Sequence, residues 1–190
     1  MHKKFTAFCL VTLVLLFFST GLSSAASKFN TLQYDASITI DDKAPIKVKY
    51  YYKDGAMRMD AQLLDREVTT YFKGKKVYMY IPGSDCIVET SVMKALMQPP
   101  LVNDYKKDFG ELKYLGQEFI GKDNCDIYEY VAKKDADGKL WVSKVTDFPV
   151  KIEYLIRGEK TTVYIDHIVS GAKVNDNLFV IPSGLEVIDP

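Results

Sequence analysis

The sequence has little of what most enzymes and metal proteins rely on. Two histidines, three cysteines and one tryptophan occur in 190 residues. His2 belongs to an N-terminal leader described below, which leaves His167 alone, in an apolar and aromatic setting that reads as structural or surface histidine. A single histidine excludes a histidine-rich zinc site, and no Cys-x-x-Cys or His-Glu-x-x-His spacing is present. A Ser-His-Asp constellation would have to use His167, yet there is no Gly-x-Ser-x-Gly elbow, and Ser183 in Ile181-Pro182-Ser183-Gly184 reads as a turn. Asp135-Ala136-Asp137-Gly138 matches only part of a calcium loop: Lys133 stands two positions earlier and no glutamate closes it, so it reads as a hairpin turn. No glycine-rich phosphate loop follows a strand, and no carboxylate pair can be set at a glycosidase separation. These absences argue against an enzyme, a metal centre and a cofactor. Basic runs are missing too, which argues against nucleic acid as a partner.

One long apolar run does exist. Met1-His2-Lys3-Lys4 is a basic start, Phe5 to Leu22 is almost unbroken hydrophobic sequence, and Ser23-Ser24-Ala25-Ala26 is a small-residue exit. This is the layout of a secretory signal peptide, cleaved after Ala26 or Ala25. An uncleaved anchor is the alternative, since a run of about 18 residues is near the lower limit for spanning a bilayer. Cys9 lies inside the run and no cysteine sits at the cleavage point, so lipid anchoring there is not expected. Residues 1–26 are thus read as signal peptide and 27–190 as one domain exported to the periplasm. Removing Lys3 and Lys4 lowers Lys+Arg from 25 to 23 against 25 Asp+Glu, so the exported chain carries about −2. It keeps Cys86 and Cys125, the right number for one disulfide in an exported protein, with two buried free thiols as the alternative.

What the exported part has in abundance is period-2 alternation. Strands are expected at Leu32–Ile40, Ile46–Lys53, Ala56–Ala61, Glu67–Phe72, Lys76–Ile81 and Cys86–Thr90. They continue at Leu112–Ile120, Asp126–Ala132, Lys139–Val145, Val150–Arg157, Thr161–Ser170 and Phe179–Ile181. Short Gly, Pro and Asp turns such as Lys53-Asp54-Gly55 separate them, which implies an antiparallel meander. Ser91–Gln98 breaks the pattern with a helical spacing, stopped by Pro99-Pro100, and Val102–Phe109 suits a second helical turn. No repeat or interdomain linker is present.

Several strands are apolar or aromatic on both faces. In Lys76–Pro82, Val77, Met79 and Ile81 oppose Tyr78 and Tyr80. That excess suits a strongly curved sheet with an apolar concave side, or equally a closed barrel or sandwich with exposed tyrosines. Met57, Met59, Met79, Met93 and Met97 suit an adaptable lining for a flexible ligand as well as ordinary gap filling. Trp141 reads as a core anchor.

An ordered set of short blocks resembles the LolA-like outer-membrane lipoprotein-sorting proteins. The set begins with Lys53-Asp54-Gly55-x-Met57-Arg58-Met59 and Gly74-Lys75-x-Val77-Tyr78-Met79-Tyr80-x-Pro82. It continues through Leu115-Gly116-x-Glu118, Cys125-Asp126-x-Tyr128, Trp141-Val142-Ser143, Phe148-Pro149-Val150-Lys151-Ile152-Glu153-Tyr154 and Leu178-Phe179-x-Ile181-Pro182-x-Gly184. The resemblance implies a mainly β fold, a strongly curved antiparallel half-barrel of about eleven strands with a short helical lid. It implies that the hollow takes acyl chains of a lipid or lipoprotein, in lipoprotein sorting or envelope lipid transport, with a membrane-associated donor or acceptor as protein partner. An envelope-stress sensor or interaction module using the same hollow is the alternative, and an enzyme on this fold a distant third. On this reading Val48, Tyr50, Met57, Met59, Val68 and Phe72 line the hollow. Val77, Met79 and Ile81 continue the lining, and Val92, Met93, Leu96 and Met97 face it from the lid. The chain departs from the lipoprotein carrier in having no room for a long helix between Ser27 and Gln33, and no residue takes the carrier's lid-locking arginine role.

Overall fold

Alternating apolar residues and tight turns build twelve strands in the computed structural model, which describes residues 30–41, 43–63, 65–73, 76–90, 105–132, 136–156 and 158–189. The first six are β1 (Thr31–Ile40), β2 (Ile46–Lys53), β3 (Ala56–Leu63), β4 (Arg66–Lys73), β5 (Lys76–Tyr80) and β6 (Cys86–Thr90). A four-residue helical turn, α1 (Tyr105–Asp108), precedes β7 (Leu112–Ile120), β8 (Asp123–Ala132), β9 (Ala136–Ser143), β10 (Phe148–Ile156) and β11 (Glu159–Ser170). A 3₁₀ turn at Asp176–Phe179 leads to β12 (Glu186–Ile188).

All twelve lie in one open sheet, ordered β12-β6-β5-β4-β3-β2-β1-β11-β10-β9-β8-β7. Two antiparallel meanders, β1–β6 and β7–β11, are joined where β1 pairs with β11. This is the strongly curved half-barrel expected, with twelve strands. Turn chemistry sets the registers. Lys53 pairs with Ala56 across Asp54 and Gly55, whose φ values of 47° and 87° match the two positive angles of a type I′ hairpin. Bulges supply local bending. The register shifts between Gln33 and Asp35 opposite β11, between Tyr114 and Gly116 in β7, and between Pro149 and Lys151 in β10.

Three expectations need correction. The disulfide is not formed: Cys86 and Cys125 are free thiols. Cys86 opens β6 and Cys125 lies on β8, so β5, β4, β3, β2, β1, β11, β10 and β9 all intervene. Both cysteines follow a turn, but on opposite halves of an open sheet, whereas a bridge needs their Cα atoms within roughly 7 Å. Phe179–Ile181 is not a strand, because Phe179 ends the 3₁₀ turn, capped by the Asn175 side chain accepting from the Asn177 amide. The meander is also not wholly antiparallel, since β12 pairs parallel with β6. That three-residue edge forms because the C-terminal segment returns across the sheet, a long-range event that no local pattern encodes. The expected leader, residues 1–26, and the expected helix Ser91–Gln98 lie outside the described residues.

Candidate functional site

The register of β1–β6 aligns side chains into rows on one face. One row runs Tyr34, Tyr50, Met59, Thr70, Met79, Val88 from β1 to β6. A second runs Ala36, Val48, Ala61, Val68, and a third Leu32, Tyr52, Met57, Phe72, Val77. Strand alternation makes this a single surface, called the inner face here. Val48, Tyr50, Met57, Met59, Val68, Phe72, Val77 and Met79 are buried in one cluster, and Ile81 is partly buried against it. The nine described residues expected to line the hollow are therefore brought together. Val92, Met93, Leu96 and Met97 lie outside the described residues.

The same cluster crosses into the second meander through Tyr130, Leu140, Val142, Phe148, Ile152 and Tyr154. Tyr34 couples the halves. Its ring stacks on Tyr50 at 4.9 Å and 3°, and meets Phe148 at 5.8 Å. Among the described residues, the members of this cluster that come from outside the strands are Tyr105 and Phe109, at α1. Phe109 packs edge-on against Tyr130 at 4.7 Å, and the Tyr105 hydroxyl donates to Asp147 Oδ1 at 3.1 Å.

The inner face is electrostatically neutral. The buried polar residues described are Thr69, Thr70, Ser143 and Thr161, and no charged residue is among them. Burial pushes the phenols of Tyr34, Tyr130 and Tyr154 well above their ordinary range, and burial together with Tyr34 does so for Tyr50. Each stays protonated, a donor without charge. Among the described residues, two hydroxyls have no hydrogen-bond partner: Tyr50 Oη and Thr70 Oγ1. Such a surface holds hydrocarbon by transfer from water, at about 0.8 kcal/mol per buried methylene, and offers donors to a neutral acceptor.

No family model and no curated protein matches the sequence. Solved structures do match. An uncharacterised conserved protein from Thermus thermophilus superposes with a TM-score of 0.61 at 12% identity, over 85% of this chain and 91% of that one. Lipoprotein LppX of Mycobacterium tuberculosis gives 0.49 at 10% identity, over 77% of this chain and 90% of that one. A domain named for outer-membrane lipoprotein sorting, from Vibrio parahaemolyticus, gives 0.41 at 10% identity, over 79% and 89%. The likeness is one of fold. The open twelve-stranded sheet is the half-barrel expected from the sequence.

Sequence reasoning missed part of this face. Thr70 sits in phase with Val68 and Phe72, two residues expected to line the hollow, so alternation alone could have added it. Tyr34 is likewise in phase with Leu32 and Ile38. The contribution of β8–β10 was not legible, because only the β1–β11 pairing brings it round.

The outer face is different in kind. Arg58 Nε donates to Asp60 Oδ1 at 2.7 Å, and a terminal nitrogen donates to the Leu178 carbonyl at 3.1 Å. Its guanidinium lies 6.0 Å from the Tyr51 ring centre and 5.6 Å from that of Tyr71. Lys53 pairs with Asp176 at 2.5 Å, so the C-terminal segment is strapped across this side. Trp141 is buried in a small satellite core with Cys125 and Val150, as a core anchor should be. Its Nε1 donates to Glu118 at 2.6 Å, and the Lys151 ammonium sits 4.1 Å over its ring. His167 is exposed at the β11 bulge with φ 49°, its Nδ1 3.1 Å from Asp35 and 3.2 Å from Asp166. These three line a groove of about 420 Å³ that also holds Lys47, Lys49, Asp60 and Glu67, so its carboxylates outnumber its lysines.

Proposed function

We propose that this chain is an envelope protein that binds acyl chains of a lipid or lipoprotein on its inner face and carries or sequesters them. The observation behind this reading is a continuous neutral, apolar face crossing both halves of an open sheet, with two unpartnered hydroxyls and no buried charge among the described residues. A hydrocarbon ligand requires nothing else, because its affinity is mostly area removed from water. The leader Met1–Ala26 supports export, and the periplasm is the corresponding location. Outer-membrane lipoprotein sorting or envelope lipid transport is the role that the sequence resemblance adds. Val92, Met93, Leu96 and Met97 would complete the lining from the lid side.

The exposed edge supports a second reading, an interaction or sensor module. Phe119 is 69% exposed on β7, with Tyr114 and Leu115 also exposed, and unpaired edge groups are templates for a partner strand. The two readings differ in what releases the ligand: a carrier transfers it to acceptor membranes unaided, whereas a sensor needs a protein partner.

Mass spectrometry of organic extracts from gently purified protein tests the first reading directly. Lipid is expected from the native protein. Met79→Trp, which fills ligand space in the row through Thr70, is expected to lose that lipid while lowering stability only modestly. A dry, close-packed core would respond with about 1–3 kcal/mol of overpacking strain and no lipid effect. A native protein without lipid, or a Met79→Trp protein that keeps it, would overturn the reading.

A further inference from the structure

Building on the acyl-chain reading above, we propose that the bound molecule carries acyl esters whose carbonyl oxygens accept hydrogen bonds from the Tyr50 and Thr70 hydroxyls. Tyr50 and Thr70 occupy one row of the inner face, with Met59 between them and Met79 beyond. Adjacent strands lie about 4.8 Å apart, so the two residues sit roughly 10 Å apart on the backbone, flanking a single thioether. Both are sealed, at 1% and 0% exposure, and neither hydroxyl has a partner among the described residues. Buried polar groups are nearly always hydrogen-bonded in folded proteins, so two such hydroxyls on one apolar row point to an acceptor on a bound ligand.

The chemistry of that partner follows from the surroundings. Tyr34 stacks flat on the Tyr50 ring and holds it in place, and burial keeps the phenol protonated. Both groups therefore act as neutral donors, and the complementary group is an acceptor. A carboxylate is a poor fit, because no buried cation is present among the described residues to balance it, and an unpaired buried charge is strongly unfavourable. An ester carbonyl is an uncharged acceptor already attached to hydrocarbon. Glycerolipids and diacylglyceryl-modified lipoproteins both supply it, and plain hydrocarbon chains do not.

Equilibrium binding to the delipidated full exported chain tests this with matched probes: monopalmitoylglycerol, its hexadecyl-ether counterpart, which lacks only the carbonyl, and palmitate. The ester is expected to bind about three- to tenfold more tightly than the ether, the range that one or two net hydrogen bonds confer. Palmitate is expected to bind more weakly than the ester. Tyr50→Phe and Thr70→Val should each reduce the ester preference, and the double variant should bind ester and ether alike. A dipalmitoylglyceryl-cysteine peptide, compared with its ether analogue, identifies the source: tighter binding of the peptide points to lipoprotein and tighter binding of the glyceride to lipid, with the ester preference required in both. Equal binding of ester and ether by the native protein, palmitate binding as tight as the ester, or a preference that survives in the double variant overturns the inference while leaving acyl-chain binding intact. Failure of the native protein to bind any probe overturns both.

Discussion

The two faces of the same twelve strands follow different rules. On the outer face polar groups are matched: Arg58 with Asp60 and the Leu178 carbonyl, Lys53 with Asp176, and Glu153 with Lys151 at 2.8 Å and Lys160 at 3.4 Å. On the inner face no charge is buried among the described residues, and two hydroxyls are left without partners. Adjacent residues on one strand can therefore belong to opposite chemistries. Leu140 is fully buried inside while Lys139 is exposed outside. The outer face satisfies its own polar groups and reads as structure, whereas the inner face is buried and uncharged among the described residues.

The largest expected effect comes from making the two faces alike. Leu140→Gln removes a fully buried aliphatic group and leaves an amide without a partner, so a loss of about 3 kcal/mol or more is expected in urea unfolding. Lys139→Gln, one residue away, should stay within about 0.5 kcal/mol. Similar losses at both positions would erase the distinction. Next in size is Gly138→Ala. A Cβ there would collide with the Tyr130 ring and the Glu153 carbonyl oxygen, a backbone atom that cannot swing aside. About 1–3 kcal/mol of overpacking strain is expected in the same assay, and a neutral outcome would mean that the Tyr130 ring does not sit against β9.

Arg58→Met sharpens the outer side of the comparison. It removes the group that links Asp60 to the C-terminal strap through Leu178, and about 1–2 kcal/mol of stability is expected to go with it. Limited proteolysis after the β11 strand should become faster, since the strap loses one of its attachments. Wild-type protection in the variant would show that Lys53–Asp176 and β12 suffice. The smallest effect is expected at Glu153. Burial alone would raise its carboxyl, but the hydrogen bond from Lys151 and the charges of Lys151 and Lys160 bring it below the ordinary range. A lowered folded-state value contributes stability above the unfolded carboxyl range, lost as the pH falls through the folded value. Glu153→Gln should therefore cost no more than about 1 kcal/mol at neutral pH, with the difference from wild type shrinking in acid. A difference independent of pH would assign the effect to packing.

Much of the inner face was legible in the sequence. Val48 and Tyr50, Met57 and Met59, and Val77 and Met79 repeat every second residue, and a strand places such residues on one side whatever its neighbours are. Asp54-Gly55 dictated its own hairpin, since its neighbours pair only through two positive φ values. The helical turn at Tyr105–Asp108 likewise falls inside the segment whose spacing suits a helix. Turn chemistry and alternation are local, so one sequence is enough to read them.

Which strands meet was settled only by the tertiary structure. The pairing of β1 with β11 joins residues such as Ile38 and Val163, and nothing local to either strand names the other. That single long-range pairing places Phe148 against Tyr34, unites the two halves of the core, and sets eight strands between Cys125 and Cys86 in the sheet order. Two cysteines opening strands after turns look alike in sequence, but separation depends on sheet order, which local patterns do not contain. The unpartnered hydroxyls belong to the same class. Tyr50 and Thr70 could be assigned to a face by counting, yet whether a hydroxyl finds a partner depends on every chain segment around it, and only the folded chain decides that.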